Sequence, residues 1–191
     1  MKYNRQKNKD MVRKTAGGAL LSALACVLLI AGGIFEILDM TGAAAASVAV
    51  LAAYLEFGTS TALAVYASSA AISLIFFSTA SSTIYYVLIL GYFPIFKFFI
   101  DKKLKKHFFL SRILKFTVFN LGSLAVLLLF FKIYGIQEVI KEFTVSFISP
   151  YAAAVFVFVL LNIFLIAYDI SLNMLSVIYT RVIRKRIFPH K

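Results

Sequence analysis

The chain has 191 residues, 62% of them hydrophobic, with a mean hydropathy of +0.92. A soluble domain averages roughly 45–50% apolar residues, and a chain this size cannot hide such an excess in one core, so the bilayer is its natural solvent. The formal net charge of +12 falls in three blocks outside the apolar runs, Lys2–Lys14, Lys97–Lys115 and Arg181–Lys191; that pattern fits loops on an anionic membrane face and argues against nucleic-acid binding.

Residues 1–14 are polar and basic, like the charged start of a signal peptide. The apolar run that follows, Ala16–Phe35, is longer than a signal-peptide core of about 7–15 residues and is read as a first transmembrane helix. A tight turn, Gly32–Gly42, carries two acids, Glu36 and Asp39. The second run, Gly42–Phe57, is short and dominated by alanine, which suits either the inside of a bundle or a re-entrant segment. Glu56–Gly58 reverses the chain into the third run, Thr59–Phe77. After a polar turn at 78–82 comes the fourth run, Thr83–Ile100, interrupted by Gly91 and kinked at Pro94. Phe108–Arg112 reads as a short interfacial helix before the fifth run, Ile113–Phe131. Lys132–Pro150 is amphipathic and suits a membrane surface, and Tyr151–Ile178 is the sixth run.

Six crossings put the N-terminus, the 101–115 loop and the C-terminus on one side. Those are the three basic blocks, so the positive-inside rule makes that side cytoplasmic and the 36–41 turn outward-facing. The expected architecture is an all-α integral membrane bundle of six helices. Residues 1–14 form a basic cytoplasmic segment, 15–180 the membrane domain, and 181–191 a basic cytoplasmic tail.

No hydrolase, zinc-protease, P-loop or dithiol motif is present, so no catalytic residue, metal site or cofactor is expected and the chain is not read as an enzyme. The lone Cys26 cannot form an intrachain disulfide. Glu36 and Asp39, three residues apart, fit either an outward site for a cationic or donor-rich solute or ordinary helix-end acids. Tyr85 and Tyr86 fit either interfacial anchors or the wall of an outward pocket. Asn162, Asp169, Asn173 and Ser176 fall on one helical face. They fit a solute or proton path, with Asn162 as a substrate ligand, or an interhelical polar clamp of Asp169 and Asn173 with Asn120. Lys97 or Lys115 lies at the right depth to reach Asp169.

The first helix carries small residues four apart, Ala19 and Ala23, a face suited to close packing. With that pair, the chain size, the six-helix count, the orientation, the Gly32–Asp39 turn and the alanine-rich second helix, the sequence resembles the substrate-binding S components of energy-coupling factor transporters, and a broader set of S-component-like bacterial membrane proteins. The resemblance implies a multi-pass protein of the bacterial cell membrane that captures a small solute, such as a vitamin or micronutrient, in an outward pocket. It further implies that Ala19 and Ala23 meet a transmembrane coupling subunit joined to cytoplasmic ATPases, and that the whole component reorients during transport. The reading from another class is a structural or scaffolding membrane protein whose basic loops recruit partners or membrane lipid.

Overall fold

Long apolar runs separated by single turns force the chain back and forth, because in lipid each segment must satisfy its own backbone hydrogen bonds. The computed structural model, which describes residues 2–34, 38–78, 80–105, 107–135 and 150–183, is all-helical over those residues. The elements are α1 (Lys2–Ile34), α2 (Asp39–Phe57), α3 (Thr59–Phe77), α4 (Ser81–Tyr85), a π-helical turn (Tyr86–Leu90), α5 (Phe93–Lys103), α6 (Phe108–Tyr134), α7 (Pro150–Ile178) and a second π turn (Tyr179–Ile183). Among the described residues six segments are long and apolar enough to cross a membrane, with α4, the first π turn and α5 forming one of them, Ser81–Lys103.

The basic N-terminal residues are not a separate element: α1 runs unbroken from Lys2 to Ile34. The interfacial helix expected over Phe108–Arg112 is the first turn of α6. Its backbone starts where Ser111 donates its N–H to the His107 carbonyl, and α6 continues from there through Arg112 and Ile113 with no glycine or proline before Gly122. Of the amphipathic Lys132–Pro150 stretch, Lys132–Tyr134 ends α6 and residues 136–149 lie outside the described residues.

The second helix sits at the centre. It packs against α1, α3, α4, the π turn, α5 and α7, and its small side chains Ala43, Ala46, Ala49, Val50 and Ala53 are buried. At 19 residues it is about 28 Å long, close to the hydrocarbon thickness. Its start crosses α1 in backbone contact: a Cβ on Gly42 would lie 2.6 Å from the Gly32 Cα, and one on Gly32 would lie 2.9 Å from the Gly42 Cα. Only two glycines permit that crossing. At its other end Gly58 has φ +89°, a conformation that side-chain-bearing residues rarely adopt, and it turns the chain directly into α3.

A hydroxyl pair joins α1 to α3: Ser22 and Ser68 share a 2.7 Å hydrogen bond. Within α3 the Ser69 hydroxyl donates to the Val65 carbonyl at 2.7 Å. The later helices pack more loosely. On α7 the buried line is Leu165, Tyr168 and Leu172, at three- and four-residue spacing, while Val155, Phe156, Ile163, Ile166 and Met174 are exposed.

Candidate functional site

The fourth span breaks near its middle, and tyrosine and serine hydroxyls close round the break. Gly91 donates its N–H to the Tyr86 carbonyl, five residues back, at 2.7 Å. In an α-helix that N–H would have gone to Val87, so the Val87 carbonyl is released. Pro94 has no N–H, so the Leu90 carbonyl is released as well. Free carbonyls in lipid cost several kcal/mol each, so both need donors. Two tyrosines supply them. The Tyr66 hydroxyl of α3 donates to Val87 O at 2.8 Å, and the Tyr168 hydroxyl of α7 donates to Leu90 O at 3.3 Å.

Tyr168 is itself held by Ser47, and the Tyr66 ring packs against Tyr86 at 5.8 Å. The Tyr168 oxygen lies 2.5 Å from Ser47 Oγ on α2, which is also 2.5 Å from the Ala44 carbonyl. The Tyr86 hydroxyl shares a 2.7 Å bond with Ser69. Rings fill the space between: Phe93 packs on Tyr168 with centroids 5.5 Å apart, Phe164 stacks on Tyr168 at 5.9 Å, and Phe93 meets Phe119 edge-on at 6.1 Å. Gly122 lets α6 approach, since a Cβ there would lie 2.7 Å from the Leu88 carbonyl. Beside Tyr168, a groove of about 280 Å³ opens between α2 and α7, walled by Ala44, Val48, Phe164, Ala167 and Ser171.

One turn beyond Phe93 the site becomes charged. Lys97 is fully buried, and its Nζ donates to the carboxylate of Asp169 and, at 2.9 Å, to the Asp169 carbonyl. Lys115 on α6 lies 3.5 Å from the same carboxylate and 2.7 Å from Asp101 on α5. The Ser111 hydroxyl donates to Asp101 at 2.8 Å. Two cations and two anions from three helices thus form a neutral chain, which is how charge becomes tolerable within a membrane protein. Replacing Tyr168 with Phe leaves Leu90 O and Ser47 short of a partner. The expected loss is about 1 kcal/mol, read as a lowered melting temperature in detergent.

The residues singled out from sequence fall in separate places. Asp169 is the hub of the charged chain, and both Lys97 and Lys115 reach it. Asn120 and Asn162 exchange hydrogen bonds at 3.1 and 3.4 Å, so Asn162 is engaged by its neighbour on α6. Asn173 is exposed and is not joined to them. Tyr86 is fully buried against Ser69, facing the interior. Tyr85 is half-buried with its ring 5.9 Å from Phe130. Asp39 begins α2 as an acid in its first turn, where the helix dipole favours it. Glu36 lies outside the described residues. Ala19 and Ala23 are exposed on the face of α1 turned away from α2 and α3.

Tyr66, Tyr168 and Ser47 carry the break, and nothing in the sequence marked them. Pro94 signalled that one carbonyl needed a substitute donor, but a proline does not say which distant hydroxyl supplies it. In comparisons with known proteins, no family model, no curated protein and no solved structure matches this chain.

Proposed function

We propose that this chain is a membrane-embedded capture subunit for uptake of a small solute such as a vitamin or micronutrient, energised by separate ATPase subunits through a transmembrane coupling partner. The observation that carries this reading is the outer face of α1. Ala19 and Ala23 are exposed there while the opposite face of the helix is packed, which leaves a small-residue surface for another membrane helix. The interrupted fourth span adds support, because broken helices near mid-membrane commonly border transport sites. The groove beside Tyr168 is the corresponding place for a largely apolar solute with one or two hydrogen-bonding groups. Both termini are assigned to the cytoplasm of a bacterial cell, since the three basic blocks then share that side.

Copurification tests it. In mild detergent the chain is expected to bring down a coupling subunit with its ATPases. Ala19→Leu with Ala23→Leu is expected to reduce that recovery at least tenfold without changing the melting temperature, because both positions are exposed. Recovery and uptake that survive the double substitution reject the reading. The scaffold alternative draws on a different observation: the centre of the bundle is filled by the rings of Phe93, Phe119, Phe164 and Tyr168. A scaffold binds no solute, so a solute that raises the melting temperature and is lost on Ala167→Phe in the groove decides against it.

A further inference from the structure

We infer that the turn joining α5 to α6 is a binding site for an anionic phospholipid. The α5–α6 turn brings two kinds of surface together. Lys102, Lys103, Lys105 and Arg112 are exposed. Directly beneath them Phe99, Phe108 and Phe109 are 49, 71 and 76% exposed. The layering is specific: Lys103 Nζ sits 5.8 Å from the Phe99 ring centroid, and the Arg112 guanidinium 4.8 Å from that of Phe108. Cationic heads therefore ride on apolar rings, a spacing that matches phosphate above acyl chain.

The acid that could neutralise this surface is turned away. Asp101, the one acidic residue in the 97–115 block, spends its carboxylate on Lys115 and Ser111. Among the described residues no carboxylate pairs with Lys102, Lys103, Lys105 or Arg112. An acidic soluble peptide or a free phosphate would satisfy the charges and leave three phenyl rings in water. A neutral lipid would cover the rings and leave the charges unmatched. A phospholipid with a net negative head satisfies both.

The test is competition on the full-length chain by native mass spectrometry with equimolar phosphatidylglycerol and phosphatidylcholine. The protein is expected to retain phosphatidylglycerol preferentially. Each surface cation changes such a preference about fivefold, so Lys102→Gln, Lys103→Gln and Arg112→Gln together are expected to lower it on the order of a hundredfold. Lys9→Gln, Lys14→Gln and Arg181→Gln remove equal charge elsewhere and are expected to leave it unchanged. Phe108→Ser with Phe109→Ser is expected to weaken retention of the lipid while leaving the charge count intact. Three results overturn the inference: equal losses in both charge-removed triples, unchanged lipid retention in the phenylalanine variant, or complete displacement of phosphatidylglycerol by millimolar inorganic phosphate. The outcome is independent of whether the chain has a coupling partner.

Discussion

Asp169→Ala is expected to cost about 3–5 kcal/mol, because it leaves the fully buried Lys97 without its counter-charge. The loss should appear as a large fall in melting temperature, or as failure to accumulate in the membrane. Asp169→Asn should do nearly as much harm. It keeps the side-chain shape and the 2.9 Å bond from Lys97 to the residue-169 carbonyl, but not the charge. Removing both partners is the informative comparison. Lys97→Met with Asp169→Leu replaces the pair by apolar groups of similar size, and such exchanges are often neutral. The double variant should therefore recover most of the lost stability, leaving Lys115 paired with Asp101. Asp101→Asn should cost only about 1 kcal/mol or less, since the Asp101 side chain is 37% exposed and its pair with Lys115 lies nearer the membrane surface. An Asp169→Ala protein that melts within a degree of the original would refute the dependence of Lys97 on this partner.

Gly42→Leu is expected to be the most damaging substitution in the first half of the chain. Its Cβ alone would stand 2.6 Å from the Gly32 Cα and 3.2 Å from the Leu28 carbonyl. Both neighbours are backbone, so no rotamer change relieves the clash and α1 must separate from α2. Overpacking typically costs 1–3 kcal/mol where side chains can yield; here the cost should be on the order of 3 kcal/mol or more. Gly32→Ala should follow the same course. Gly18→Ala is the contrast, because its Cβ meets only side-chain methyls, Thr61 at 3.3 Å and Val65 at an ordinary 3.7 Å, and the Thr61 side chain can move aside. The readout is the fraction of each variant recovered as a monodisperse peak in detergent. Equal recovery of Gly42→Leu and Gly18→Ala would show that the glycine crossing does not hold the first two helices together.

The six spans were legible because bilayer thickness fixes how long an apolar run must be, and run length survives in sequence without any tertiary knowledge. Depth was legible too. Counting residues from the basic ends placed Asp169 within reach of Lys97 or Lys115, and both contact it. Rotation about the helix axis was not. Asn162, Asp169 and Asn173 share a face on a helical wheel, yet the line that α7 turns to the bundle runs through Leu165, Tyr168 and Leu172. Asn173 lies roughly 100° round from that line at 100° per residue, and is exposed. Tyr86 misled for the same reason: its position near a span end suits an interfacial anchor, but the π turn that begins there aims its ring at Ser69. The Gly32–Gly42 stretch read as a hairpin with two acids, whereas the glycines that bracket it also touch each other across the two helices.

The chain order of the charged side chains has a consequence for biogenesis. Lys97 belongs to the fourth span and Asp169 to the sixth, with the fifth synthesised between them. Lys115 arrives with Asp101 already on the preceding helix, but Lys97 enters the membrane before its own partner has been translated. A lysine costs about 2.5–3.5 kcal/mol at the centre of an inserting helix on translocon scales, and Lys97, six residues from the end of Ser81–Lys103, costs less than that. The apolar residues around it, in an 18-residue stretch of mean hydropathy 1.7, can carry that cost through insertion. Entry of the sixth span, delivering one carboxylate, is then the moment that turns a provisional insertion into a settled one.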